Sequence, residues 1–258
     1  MKRNKKLILL ATCALFVAYL TVSAGFVASR QQAAVCHSVQ IRVCDSMVSH
    51  FVSPAAVSNI LSRDAGKTIG EYLSQLNAYK LEQLLNRQSV IKRTEVFSSI
   101  DGVLHVDVYQ RRPVVRLHTP AHKFYIDETG FIFPLSGVYT SFVPVVTGVV
   151  PARIAAGYRG LIPERENFLK QLHALALFID GHEFWRTQIA QVHVRSASEI
   201  DLTPYEGREV IHLGALNGFE YKLNKLMAFY RNAYPAGAES PYSGIDLRFG
   251  NQVICKRK

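Results

Sequence analysis

The stretch LILLATCALFVAYLTVSAGFVA, residues 7–28, decides how the rest of the chain must fold, because it contains no charge, no proline and one glycine. As an α-helix it would be about 33 Å long, since each residue adds about 1.5 Å. The hydrocarbon core of a bilayer is about 30 Å thick, so this stretch is long enough to cross it. We therefore predict a transmembrane helix over residues 7–29.

The charges around this stretch predict its orientation. Four of the first six residues are cationic, whereas Arg30 is the only cation that follows closely. Because Lys and Arg accumulate on the cytoplasmic side of a membrane, residues 1–6 are predicted to form a cytoplasmic tail. Everything beyond the helix would then be exported.

A cleaved secretory signal is the alternative interpretation. Small residues at 22–24 or at 26–28 could form a processing site. However, the apolar region of such signals has about 7–15 residues, and this one is longer. We therefore expect the helix to remain as an anchor.

Charge and composition restrict the partners of the exported part. The chain has 30 basic and 20 acidic residues, and without the four N-terminal cations 26 basic residues remain, a net charge of +6. No further run of Lys or Arg resembles a nucleic-acid patch, so anionic headgroups or other proteins are the expected partners. The residues beyond the anchor are numerous enough for two small domains.

The cysteines and polar motifs predict no disulfide framework and no enzyme site. Cys36 and Cys44 would lie about 26 Å apart on one extended strand, too far for a disulfide. Residues 66–68 lack the first glycine of a P-loop, residues 89–92 lack the companion motifs of an S-x-x-K enzyme, and His182-Glu183 lacks the second histidine of a zinc helix. We expect no catalytic residue, metal, cofactor or small-molecule substrate.

The first exported segment, residues 35–117, is predicted to be a small sheet covered on one side by two helices. Asp101-Gly102 is a strong hairpin signal, and Leu104, Val106 and Val108 alternate as the inner face of the strand that follows. The sheet would keep an open edge. The predicted elements, in β-α-α-β-β order, are a strand over 35–44, a helix opening at Ser53-Pro54, a helix over 77–87 capped by Asn77, and strands over 94–100 and 103–110.

The second segment, residues 118–258, is predicted to be a β-rich α+β domain, so the fold class of the whole chain is α+β. Its helices show apolar residues at helical spacing, and its strands alternate apolar with polar residues. The predicted helices cover 163–179 and 219–231, and the predicted strands and apolar runs cover 122–127, 131–133, 142–146, 189–194, 199–202, 209–213, 242–248 and 252–255.

Several short segments, in this order behind an apolar anchor, resemble the bacterial cell-division family FtsQ/DivIB. Each segment is weakly diagnostic by itself, and none is a catalytic signature. One departure is Gln110, where the family usually has glutamate. The segments are VYQRRPVV at 108–115, YIDETG at 125–130, Gly207 with 210–214, Lys222-Leu223 with Leu226, and IDLRF at 245–249.

The resemblance implies a single-pass inner-membrane protein anchored by residues 7–29, with a POTRA domain and a β-rich domain in the periplasm. Such proteins are scaffolds of the divisome at the division septum. They bind proteins of the FtsB and FtsL type and help to control septal peptidoglycan synthesis. The β-α-α-β-β order read from the sequence agrees with a POTRA domain.

The resemblance also implies a partner-binding site on an open C-terminal edge strand, Ile245–Ile254, where a partner segment adds a strand. Arg248 would pair with a partner carboxylate, and Phe249, often tyrosine in the family, would be an apolar anchor. Alternatively, the strand only closes the sheet and Arg248 forms an internal ion pair. The candidate partner-binding residues are Tyr242, Ile245, Asp246, Leu247, Arg248, Phe249, Gly250, Gln252 and Val253.

Two other classes of protein compete with a divisome scaffold. One is a POTRA-type module of an outer-membrane assembly or secretion system. The other is an anchored enzyme, such as a cell-wall hydrolase, which the incomplete motifs make a poor fit.

Overall fold

The computed structural model describes the chain in seven ranges, and its contacts divide it into two units between Gln110 and Arg111. The described residues are 12–23, 35–45, 50–66, 68–99, 101–206, 209–233 and 241–258.

Part of the predicted anchor is described. Residues 12–23 form helix α1. Among the described residues, no helix combines the length and the apolar character that a bilayer crossing requires. The predicted cytoplasmic tail, 1–6, and the rest of the predicted span, 7–11 and 24–29, lie outside the described residues.

The first unit has the predicted β-α-α-β-β order. Strand β3 lies in the middle of the sheet, parallel to β1 and antiparallel to β2. Parallel neighbours need a crossover connection, and the two helices supply it. The elements are β1 Ser38–Val43, α2 Pro54–Ile60, α3 Ala78–Asn86, β2 Ile91–Ser98 and β3 Val103–Gln110.

The local signals in this unit act as the sequence predicts. The Ser53 side chain accepts a hydrogen bond from the Ala56 N–H, and Asn77 caps α3 through the Lys80 N–H at 3.0 Å. Between the helices, α2 continues as a π-helical turn, Leu61–Ala65, which the sequence pattern does not predict. In the hairpin turn Gly102 has φ +86°, and a Cβ there would lie 2.7 Å from the Val35 carbonyl, so only glycine fits.

The core of this unit lies between the helices and one face of the sheet. Gln110, at the end of β3, is buried, and its amide oxygen accepts a hydrogen bond from the Val52 N–H at 2.8 Å. The predicted inner face of β3 is confirmed. The buried apolar residues are Cys36, Val57, Leu61, Leu81, Leu85, Ile91, Val96, Leu104, Val106 and Val108.

The described residues of the second unit form a ten-stranded mixed sheet in the order β13-β12-β11-β10-β9-β7-β4-β5-β6-β8. Its strands are β4 Pro113–His118, β5 Lys123–Asp127, β6 Phe131–Pro134, β7 Val145–Gly148, β8 Gly160–Leu161, β9 Ile189–Ser196, β10 Glu199–Pro204, β11 Val210–His212, β12 Tyr242–Asp246 and β13 Ile254–Arg257. Its helices are α4 Asn167–Gly181, α5 Glu183–Gln188 and α6 Phe219–Ala233.

The boundary between the units lies before the one we predicted after residue 117. Strand β4 pairs with β5 and, in parallel, with β7, so it belongs to the second sheet. Helices α4 and α6 pack their apolar sides on that sheet, and the unpredicted helix α5 adds the fully buried Trp185.

Two arginines fix the start of the second unit. Nη1 of Arg111 lies 2.8 Å from Oδ2 of Asp127, with side chains 12% and 1% exposed, and the guanidinium lies 3.5 Å from the centre of the Phe131 ring. Arg112 pairs with both Glu128 and Asp180. These contacts tie the VYQRRPVV segment to the YIDETG turn, so the residues that carry the resemblance build the fold here.

Candidate partner-binding edge of the second unit

One end of the second sheet has an open edge. Strand β12 lies between β11, to which it is parallel, and β13, to which it is antiparallel. Strand β13 has β12 as its one neighbour among the described strands. The outer side of β13 therefore presents backbone N–H and C=O groups that another strand could pair.

The predicted edge strand over Ile245–Ile254 is wrong in extent. Strand β12 ends at Asp246, residues 247–253 form a turn, and a new strand begins at Ile254. The first cause is local: the Asp246 carboxylate accepts a hydrogen bond from the Arg248 N–H at 3.0 Å, which bends the chain. The free edge belongs to Ile254–Arg257.

Arg248 forms an ion pair with Asp246, as the alternative interpretation had it. Nε and Nη2 of Arg248 lie 3.0 and 2.6 Å from the Asp246 oxygens, and the side chains are 52% and 15% exposed. The hydrogen bond from Arg248 holds the pKa of Asp246 below its ordinary value, and Asp246 in turn raises the pKa of Arg248. The Arg248 stem lies over Gly214, where a Cβ would come within 2.8 Å of its Cγ. A partner carboxylate would have to share or replace Asp246.

Lys225, a half-buried residue of α6, contacts the turn 247–253 through hydrogen bonds. Its ammonium group donates toward four carbonyl oxygens of the turn. Burial lowers the pKa of Lys225, while the charge of Asp246 opposes that shift. The oxygens and their distances from Nζ are Phe249 at 2.5 Å, Gln252 at 3.0 Å, Gly250 at 3.1 Å and Leu247 at 3.4 Å.

Exposed apolar side chains surround this turn and edge. Phe249 in the turn is 45% exposed, Ile254 at the start of β13 is 44% exposed, and Tyr221 on α6 is 55% exposed. The Tyr221 hydroxyl donates to Oδ1 of Asn251 at 3.2 Å, which fixes the ring beside the turn. Rigid aromatic groups of this kind are common anchors at protein interfaces.

Polar side chains line the neighbouring strands on the outer face of the sheet. Asp201 on β10 is buried and pairs with Arg195 at 2.7 Å and with Nδ1 of His212 at 2.6 Å. His212 is in register with Asp246, and its charge contributes to the lowered pKa of Asp246. Within the described ranges, no three His, Cys, Asp or Glu side chains are grouped as a metal site.

The predicted residues fall into three groups. Ile245 and Leu247 are buried in the core and offer no side chain at the surface. Tyr242 contacts the Phe229 ring of α6, with centroids 6.0 Å apart, and Val253 packs against the core. The residues that reach the surface are Asp246, Arg248, Phe249, Gly250 and Gln252.

The structure adds residues of the edge and its support that the sequence pattern does not predict. Lys256 and Arg257 are exposed cations on β13, and the Ser243 hydroxyl of β12 donates toward their carbonyl oxygens. The alternation of Val253 and Cys255 with Ile254 and Lys256 indicates a strand here. No sequence pattern assigns Lys225 to the turn.

Comparison with known families gives two matches, one for each unit. Residues 112–256 match the model described as FtsQ/DivIB, C-terminal related. Residues 34–109 match the POTRA-like domain. Among curated proteins, no match to the chain is found.

Proposed function

Because this chain belongs to the FtsQ/DivIB, C-terminal related family, we propose that it is a divisome scaffold that binds FtsB- or FtsL-type proteins on the free edge of β13. The family consists of non-enzymatic division proteins of the membrane. A POTRA-like domain followed by the family's C-terminal domain supports this assignment over a module of an outer-membrane assembly system.

The observation that carries the proposal is the outer side of β13, which pairs with no other described strand. A partner segment would add an eleventh strand there, with main-chain hydrogen bonds supplying affinity. Phe249 and Ile254 offer apolar contacts, and the exposed cations Lys256 and Arg257 favour a partner with carboxylates. Arg248 would contribute as part of its pair with Asp246.

The rest of the proposed function concerns location. Residues 7–29 would anchor the chain in the inner membrane, with residues 1–6 in the cytoplasm and both units in the periplasm. Enrichment at the septum would place bound partners where peptidoglycan synthesis is controlled. The apolar sequence and the family support this topology.

Site-specific photo-crosslinking in living cells tests the edge. A crosslinking residue at Ile254 should capture a small FtsB- or FtsL-type membrane protein. The same residue at Leu161, which is 60% exposed on the opposite edge strand β8, is the matched control. Equal capture at both positions, or none at Ile254, would refute the proposed docking edge.

Depletion tests the cellular role separately. Loss of the chain should give filaments with segregated chromosomes and no septa. Normal septation together with outer-membrane proteins stalled in the periplasm would favour the POTRA-type assembly module instead.

A further inference from the structure

We propose that Lys225 is a positioning residue for partner binding: its ammonium holds the turn 247–253 in the shape that presents Phe249 beside the free edge of β13. This inference rests on the proposed function. Lys225 contacts the turn from the α6 side and is itself half-buried, so its role would be to shape the binding surface.

The geometry of the ammonium group carries the argument. An ammonium has three N–H donors and no acceptor. Four carbonyl oxygens converge on Nζ of Lys225, at 2.5 to 3.4 Å, and they come from residues 247, 249, 250 and 252. Carbonyl groups whose oxygens converge repel each other, because the oxygens carry partial negative charge, unless a cation lies between them. The turn therefore needs this charge to keep its shape.

Two other side-chain contacts hold the turn, the Asp246–Arg248 pair at its start and the hydrogen bond from Tyr221 to Asn251, but each reaches only one residue of it. Leu247 is buried at its start and Val253 is half-buried at its end, whereas residues 248–252 are exposed. The backbone of Lys225 is fixed in position, because Leu223 and Leu226 of the same helix are fully buried in the core. The ammonium thus connects the exposed middle of the turn to the core.

A fixed turn matters for binding because a mobile one must be ordered when the partner arrives. Ordering loops and side chains on association lowers affinity, and preorganised surfaces avoid that loss. Phe249, whose own carbonyl is bound at 2.5 Å, is the apolar side chain that the turn displays. Without the ammonium, Phe249 would sample many positions relative to β13.

The test compares Lys225→Met with Lys222→Met in the full-length chain in detergent micelles. Lys222 lies on the same helix and donates to one carbonyl outside the turn, that of Ala215 at 2.7 Å, so it is a matched control. Hydrogen exchange of the peptide that covers 247–253 measures the order of the turn. Capture of the purified FtsB-type protein from the same genome measures binding.

We expect Lys225→Met to accelerate exchange in the turn and to weaken capture by about tenfold, the size typical of a lost ordering contact. Lys222→Met should change neither. Lys225→Arg, which keeps the charge and the donors, should restore part of the capture, and this rescue would separate positioning from a general loss of stability.

Three results would overturn the inference: unchanged exchange in Lys225→Met, faster exchange with unchanged capture, or an equal loss of capture in Lys222→Met. Failure of the proposed function gives a different result. In that case the wild-type chain itself would capture no FtsB-type protein, whatever the exchange of the turn.

Discussion

Asp127 shows how a single residue can hold the start of the second unit. Its side chain is fully buried, and its oxygens accept hydrogen bonds from the Arg111 guanidinium, the Thr129 N–H and hydroxyl, and the Phe131 N–H. One carboxylate thus closes a turn and balances an almost completely buried cation. A buried charge that loses its partner is costly, whereas an exposed pair contributes little.

Substitution of Asp127 by Asn should therefore destabilise the second unit by about 3–5 kcal/mol, because the largely buried Arg111 would lose the charge of Asp127. The adjacent Glu128→Gln is the matched control, since Glu128 pairs with Arg112 nearer the surface and should cost about 0–1 kcal/mol. Urea unfolding of both variants provides the measurement. Similar midpoints for the two variants would show that the buried pair does not determine stability.

At the scale of elements, those with local signals were predicted well. Asn77 caps α3, Asp101-Gly102 joins β2 and β3, and alternation along β3 separates core from surface. These features depend on residues close together in the chain. The same is true of α6, whose apolar spacing predicted a helix within two residues of its observed end.

The elements that were missed depend on distant residues or are very short. Strand β4 belongs to the second sheet because it pairs with β7, and Arg116 is opposite Val145. Helix α5 has six residues, too few for periodicity to show. The break after Asp246 is reinforced by Lys225 of another element, so the candidate edge predicted over 245–254 is divided between β12 and β13.

The turn between β12 and β13 should loosen in acid. The Asp246 carboxylate has a pKa below its ordinary value of 3.8, chiefly through the hydrogen bond from Arg248. Because the pKa of Asp246 is lower in the folded state than in the unfolded state, the ionised carboxylate stabilises the fold. This stabilisation is complete above pH 3.8 and is lost as the pH falls below 3.8 through the folded pKa. The difference in unfolding free energy between wild type and Asp246→Asn should therefore become smaller as the pH falls through that window.

Arg248→Gln is the control for this pH dependence. Because Arg248 is the main cause of the lowered pKa, the substitution should remove most of the acid sensitivity attributed to Asp246. Unfolding curves of the two variants and the wild type between about pH 2 and 6 would measure it. A pH dependence that persists unchanged in Arg248→Gln would assign the effect to another carboxylate.

At the scale of the whole molecule, two units with separate cores follow one apolar segment. A scaffold of the proposed kind needs three properties at once: attachment, a spacer domain and a surface that accepts a partner. The two units match a POTRA-like domain and the family's C-terminal domain, and the apolar sequence of residues 7–28 supports attachment. Attachment can be measured directly by membrane fractionation.

If residues 7–29 anchor the chain, alkaline carbonate should leave it in the membrane pellet at its full mass. Each Arg at the centre of a spanning helix costs about 2.5–3.5 kcal/mol, so replacing Leu15 and Val17 together by Arg should shift the chain out of the membrane fraction. Arg at the exposed position 138, in place of Val, is the control and should leave the distribution unchanged. A mature form that starts near Gly25 or Ser29 and is soluble in the periplasm would show that the segment is a cleaved signal.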